Sequence, residues 1–227
     1  MCGFICSHYF LAIQFFLSSQ QKHAMKILAV GRNYSEHAKE LNNPVPTEPV
    51  VFLKPDTSLL RDGKPFYHPD FSSDIHYEVE LVIKIGKEGK HISEKFAKKY
   101  IESIGIGIDF TARDLQEKCK QKGLPWEIAK AFDHSAPIGK FILINELKDL
   151  RNISFSLEKN NTLVQKGNSS DMIFSFEQII SYLSKRFTLK KGDLIFTGTP
   201  AGVGKINIGD KFEAFIGTQS LLSLEVK

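Results

Sequence analysis

The stretch Tyr77-Glu78-Val79-Glu80-Leu81-Val82-Ile83-Lys84-Ile85 constrains this chain more than any other. Tyr77, Val79, Leu81, Ile83 and Ile85 recur with a period of two, which predicts a half-buried strand with one apolar face. Glu78 and Glu80 then leave the opposite face together, with Cα atoms about 6.5–7 Å apart. Two carboxylates that close repel each other unless a cation or protons lie between them. Ile104-Gly105-Ile106-Gly107-Ile108-Asp109 predicts a second short strand with a third acid at its end. Glu78, Glu80 and Asp109 are therefore a candidate oxygen-ligand set for a hard cation, Mg²⁺ or Mn²⁺. A Glu-x-Glu pair is also what the wet face of an ordinary sheet looks like, so spacing alone leaves both readings open.

At 227 residues the chain can bury one sizeable core and is most simply one domain. A content of 42% hydrophobic and 25% charged residues is that of an ordinary soluble globular protein. The net charge of +4 is mild. Lys95, Lys98 and Lys99, then Lys118, Lys120 and Lys122, then Lys190 and Lys191 fall at amphipathic spacings. They read as solvated helix faces rather than a nucleic-acid stripe. Cys2 and Cys6 lie near the start and Cys119 stands alone, which argues against a disulfide framework and for a reducing, cytoplasmic setting.

Residues 1–24 differ in character from the remainder of the chain. Phe10 to Leu17 is apolar but too short to span a bilayer, and the segment lacks the basic start and cleavage site of a signal peptide. We expect an N-terminal extension over 1–24 and a single catalytic domain over 25–227, with a membrane tether as the lesser alternative.

Further along, Ser35 to Leu41 predicts a short helix on which His37 and Glu40, three residues apart, share a face. A histidine beside a carboxylate is the arrangement of a general base with its orienting partner, and also of a surface pair. Thr111 is a candidate N-cap for a helix from Ala112 to Cys119, on which Arg113 and Gln116 share a face near Asp109. A guanidinium fork and an amide there can hold a substrate carboxylate. Lys130 sits among apolar residues and, if buried, needs an acid partner. Gly198 to Lys205 resembles a phosphate loop but fails it. Thr199 stands where the first glycine belongs and Ile206 where Ser or Thr is required, so a tight turn exposing backbone N–H groups is the better reading.

Taken together, these pieces resemble the fumarylacetoacetate hydrolase family, most closely its small single-domain acylpyruvase and oxaloacetate decarboxylase branch. The resemblance runs from about Lys26 to the C-terminus. It is carried by Gly31-Arg32-Asn33-Tyr34 with His37, Phe52-Leu53-Lys54-Pro55, Tyr77-Glu78-Val79-Glu80-Leu81, Asp109-Phe110-Thr111-Ala112-Arg113-Asp114, Gly123-Leu124-Pro125-Trp126, Lys130 and Thr197-Gly198-Thr199-Pro200. It implies a mixed α+β, β-rich fold, a rolled β-sheet with peripheral helices, assembled as a homodimer. It implies that Glu78, Glu80 and Asp109 hold one Mg²⁺ or Mn²⁺. His37 with Glu40 corresponds to a water-activating pair on a mobile segment, and Lys130 to the active-site lysine. Arg113, Gln116 and Thr199 correspond to the carboxylate grip. The implied activity is hydrolysis of the C–C bond of acylpyruvates (2,4-dioxo acids), with oxaloacetate decarboxylation at the same site. A 2-hydroxyhepta-2,4-diene-1,7-dioate isomerase, an oxaloacetate tautomerase or a hydratase on the same scaffold is the alternative. A non-catalytic carboxylate-binding module is the alternative from another class.

Overall fold

The computed structural model describes residues 25–41, 44–61 and 63–227; the expected extension over 1–24 lies outside the described residues. In chain order the elements are β1 (Ile27–Gly31), α1 (Ser35–Glu40), β2 (Val50–Lys54), β3 (Leu59–Leu60), β4 (Ile75–Tyr77), β5 (Val79–Ile85), α2 (Glu94–Ala97) and β6 (Ile101–Ile108). Then come β7 (Thr111–Ala112), α3 (Arg113–Lys122), α4 (Glu127–Lys130), β8 (Ala136–Leu143), β9 (Ser154–Lys159), β10 (Thr162–Asn168), α5 (Phe176–Arg186), β11 (Leu194–Phe196), β12 (Gly204–Lys205), β13 (Lys211–Ile216) and β14 (Gln219–Glu225). The fold is mixed α+β and β-rich, as expected.

A mixed sheet in the order β2-β1-β11-β5-β6-β8-β3 forms the body. Strand β5 is its centre, buried on both faces except at Lys84. Its Val79, Leu81, Ile83 and Ile85 face the main core, which Leu28, Phe155, Ile179 and Phe212 complete. Val82, on the other face, joins a smaller cluster with Ile27, Phe52 and Phe196. Two further sheets, β10-β9-β13-β14 and β12-β4-β7, roll against this body. Helix α5 starts at a capping box on Ser175 and Gln178 and buries Phe176, Ile179, Ile180 and Leu183. Among the described residues no helix is long and apolar enough to cross a membrane.

Three local expectations need correction. Tyr77–Ile85 is two strands rather than one. Tyr77 pairs in the three-stranded sheet, Val79 in the large one, and Glu78 is the corner between them. Thr111 does not cap α3: it pairs with His76 in β7, and Ala112 takes the N-cap position. Its hydroxyl is engaged with buried groups instead, which outweighs a cap that water can replace. Lys120 is half-buried rather than solvated, because its face of α3 turns toward the interior.

Candidate active site

Corner and strand end meet at one point. The ladder of β5 and β6 runs out at Val79 and Ile108, and the Asp109 N–H then donates to the Glu78 carbonyl at 2.8 Å. Glu78 and Asp109 are thereby fixed side by side beyond the last rung. Glu80, inside the ladder, stands opposite Gly107. A Cβ on Gly107 would come within 2.9 Å of the Phe196 ring and of the Pro137 carbonyl. Only glycine lets the neighbouring strands close here.

The three carboxylates are 5%, 2% and 1% exposed, and each offers an oxygen within 4.8 Å of the others. Such a cluster needs compensating charge. Lys130, the last residue of α4, places Nζ 2.8 Å from Glu78 Oε2, 2.7 Å from Asp109 Oδ2 and 2.6 Å from Thr111 Oγ1. All three of its N–H groups are thereby used. Arg113, at the start of α3, reaches Glu78 Oε1 at 2.6 Å and donates to Gln116 Oε1 at 2.7 Å. Lys54, at the end of β2, forms an ion pair with Asp109 Oδ1 at 2.6 Å. It also donates to the Lys130 carbonyl and to Ser135 Oγ. Three acids thus face three bases.

Glu78 and Glu80 nevertheless titrate in opposite directions. Burial pushes Glu78 up, but Lys130 and Arg113 more than offset this and hold it well below the usual carboxylate range. Glu80 has no cation in contact among the described residues, and burial followed by Asp109 and Glu78 raises it well above. Its main relief is the Gly198 N–H, which donates to Oε2 at 2.7 Å. Gly198 has φ +101, and a Cβ there would lie 2.7 Å from the Asn33 Cβ.

The Gly198–Lys205 turn therefore does expose backbone N–H groups, and those of Gly198 and Gly202 serve carboxylates. Gly202 N–H donates to Glu40 Oε1 at 3.0 Å, while Glu40 Oε2 is 3.1 Å from His37 Nδ1. This ties α1 to the turn and orients the buried His37 ring. Thr199 Oγ1 accepts from Gln165 Nε2 at 2.9 Å, and Gln165 Oε1 accepts from the Val79 N–H at 2.9 Å.

A cavity of about 30 Å³ opens beside the acids, with His37, Glu78, Gln116 and Lys130 on its buried wall. Arg32, Lys120 and Trp126 form part of its half-exposed side. That is room for a water molecule rather than a substrate. A larger hollow of about 490 Å³ between β8 and β14 carries no carboxylate or imidazole among its described lining residues, so size does not mark the site.

All nine residues singled out from the sequence are engaged at or around this point. His37, Glu78, Arg113, Gln116 and Lys130 line the cavity. Glu80 and Asp109 complete the acid cluster. Glu40 stands one hydrogen bond behind His37, and Thr199 is held by Gln165, which also accepts from the Val79 N–H. Lys54, Gln165 and Gly198 are additional. A lysine facing the same way as Phe52 on an apolar strand was the signal for Lys54, whereas nothing near Gln165 in the sequence marks it.

Residues 26–227 match the family described as fumarylacetoacetate (FAA) hydrolase C-terminal. The chain belongs to the fumarylacetoacetate hydrolase family. It is 42% identical over 201 residues to a mitochondrial oxaloacetate tautomerase of Homo sapiens, covering 88% of this chain and 90% of the relative. It is 48% identical over 185 residues to a mitochondrial oxaloacetate decarboxylase of Dictyostelium discoideum, covering 81% and 85%. Among solved structures, the fumarylpyruvate hydrolase from Pseudomonas aeruginosa in complex with Mn²⁺ and pyruvate superimposes with a TM-score of 0.85. That match is at 36% identity and covers 89% of each chain. Like these fumarylacetoacetate hydrolase family members, the chain is an enzyme, and its relatives act on small keto acids or their enols.

Proposed function

We propose that this protein is a divalent-metal-dependent hydrolase that cleaves the C–C bond of acylpyruvates. The observation that carries the reading is the convergence of two devices on one cavity. One is a buried all-oxygen acid cluster, and the other is a histidine oriented by a carboxylate.

The donor set fits Mg²⁺ or Mn²⁺, because three buried carboxylates within 4.8 Å suit a hard cation and Glu80 stands uncompensated among like charges. Glu78, Glu80 and Asp109 would hold the ion, which when bound supplies Lewis-acid stabilisation of the enolate developing at C2–C3 of a 2-oxo acid.

The chain's own side chains supply the rest. Arg113, Gln116 and Thr199 grip the substrate carboxylate; the Arg113 Nε is buried and has no partner among the described residues, so it retains a donor for an anion. With Nδ1 on Glu40, His37 keeps Nε2 to take the proton of the water that attacks the C4 carbonyl. Lys130 donates to the oxyanion, which requires it to give up one of its three present bonds. The Gly202 N–H to Glu40 contact holds α1 beside the cavity, and we infer that it opens when substrate enters.

Oxaloacetate is the second reading, favoured by relatives named as tautomerases and decarboxylases. Loss of CO₂ or movement of a C3 proton needs the same carboxylate grip but no attacking water. Product analysis on acetylpyruvate and oxaloacetate, with and without Mg²⁺, decides among hydrolysis, decarboxylation and tautomerisation.

We also infer that residues 25–227 are the whole catalytic unit, so a chain beginning at Met25 should be as active as the full one. The homodimer follows from the family resemblance and is checked by light scattering. The cytoplasmic reading rests on cysteine usage, with Cys119 a buried free thiol, whereas two relatives are mitochondrial by name. Imaging of the tagged full chain separates the two locations.

A further inference from the structure

Gln165 on β10 is 2% exposed, yet the proposed chemistry leaves it without a task. A β-bulge brings it inside. Leu163 pairs with Glu158 and Gln165 with Leu157, so Val164 is the extra residue between them. In an unbroken ladder Val164 would stand opposite Leu157 on the inward face, where an aliphatic side chain is the ordinary occupant. The bulge puts an amide there instead. The bulged Val164 carbonyl also packs against the turn after β11, where a Cβ on Gly202 would lie 2.5 Å from it.

The partners of the amide fix its orientation. The Val79 N–H can only donate and the Pro200 carbonyl can only accept. Oε1 therefore faces Val79 and Nε2 faces Pro200, each at 2.9 Å. The second hydrogen on Nε2 goes to Thr199 Oγ1, also at 2.9 Å. Thr199 thus meets Gln165 as an acceptor and keeps its own hydroxyl hydrogen to donate elsewhere. Val79 lies between Glu78 and Glu80, and Thr199 follows Gly198, whose N–H holds Glu80. One buried side chain from a separate sheet therefore ties the acid corner to the turn.

We propose that Gln165 is a positioning residue: it presents the Thr199 hydroxyl as a donor to the substrate carboxylate and fixes its distance from the acid cluster. The inference rests on the carboxylate grip proposed above and adds the residue that sets it. Gln165 itself touches no substrate and acts through Thr199. Without the N–H on Oγ1, nothing holds the hydroxyl in its donating orientation, and the grip loses a charge-assisted hydrogen bond.

The test measures pyruvate binding to Mn²⁺-saturated full-length protein by calorimetry. Gln165→Met keeps the length of the side chain and removes its hydrogen bonds. Gln165→Asn is the milder change, since its shorter amide leaves room for water at the Val79 N–H and the Pro200 carbonyl. Both variants and Thr199→Val should bind pyruvate at least about tenfold more weakly than wild type, the worth of one hydrogen bond to a charged group. Each Gln165 variant combined with Thr199→Val should bind within about twofold of Thr199→Val alone, because one interaction is lost only once. Additive losses in these double variants would show that Gln165 loosens the fold rather than acting through Thr199. A lower melting temperature with pyruvate affinity unchanged in the Gln165 variants would show the same. Either result overturns the proposal and leaves the carboxylate grip standing. Pyruvate binding by Thr199→Val at wild-type strength would remove Thr199 from the grip and the proposal with it.

Discussion

Lys130 Nζ lies 2.8 Å from Glu78 Oε2, so the lysine expected to act on substrate is also the counter-ion of an expected metal ligand. It closes a second contact of 2.7 Å to Asp109. Removing one partner of such a buried pair leaves uncompensated charge and typically costs about 3–5 kcal/mol. Lys130→Met should therefore lower the melting temperature in EDTA by several degrees or more, and Mn²⁺ should restore more of it than it adds to wild type. Calorimetric melts of both proteins with and without Mn²⁺ check this. Equal Mn²⁺ stabilisation of the two would show that lysine and cation do not compete for the same oxygens.

Glu80 gives the pH dependence. Its folded-state proton affinity is raised well above the ordinary 4.5, first by burial and then by Asp109 and Glu78. The folded protein therefore binds this proton more tightly than the unfolded chain does, and metal-free protein loses stability as pH rises from about 4.5 through the raised value. Glu78 acts in the opposite sense, since its depressed value contributes stability above 4.5 that is lost on acidification. Comparing Glu80→Gln with wild type in EDTA isolates the first effect. The variant should gain relative stability steadily from pH 4.5 towards 8, and a difference flat with pH would contradict it.

Much of the fold and site was legible from the chain, for identifiable physical reasons. Buried strands repeat apolar residues with period two, so β5 and β6 stand out and carry Glu80 and Asp109 with them. Local sequence does not report a switch of sheet, however. The alternation through Tyr77, Val79 and Leu81 continues unbroken across Glu78, although the chain turns a corner there. The partners behind the compensation were hidden as well. Lys54, Gln165 and Gly198 act on residues 55, 86 and 118 positions away, and only folding brings them together. Lys120 resembled its solvated neighbours because its burial depends on what packs against α3.

Gly198 couples backbone strain to chemistry. Its φ of +101 disfavours any Cβ, and a Cβ would press on Asn33 at 2.7 Å. Gly198→Ala should cost roughly 1–3 kcal/mol or more of stability and, by moving the N–H off Glu80, weaken Mn²⁺ binding. Denaturant melts and Mn²⁺ titration read the two effects separately. A stability loss with unchanged Mn²⁺ affinity would mean that this hydrogen bond does not position Glu80.

His37 separates the reactions open to the site. Water attack needs a base, and a positioned one is typically worth about 10²–10⁴-fold. His37→Ala should lose acylpyruvate hydrolysis by at least about a hundredfold, while keeping much of any oxaloacetate decarboxylation. Arg113→Ala should depress both, since both substrates present the carboxylate it grips. Parallel kinetics on the two substrates give the answer. Equal losses in His37→Ala would assign His37 to closing the site through α1 rather than to proton transfer.

The most direct measurement tracks acetylpyruvate and oxaloacetate by NMR with protein exhaustively stripped by chelator and then reloaded with Mg²⁺ or Mn²⁺. We expect the stripped protein to be inactive, and the reloaded protein to turn acetylpyruvate into acetate and pyruvate. Glu80→Gln should stay inactive under both conditions while remaining folded. Full turnover by the stripped protein, or no consumption of either acid after reloading, would contradict the assignment of Glu78, Glu80 and Asp109 as the metal centre of a 2-oxo acid enzyme.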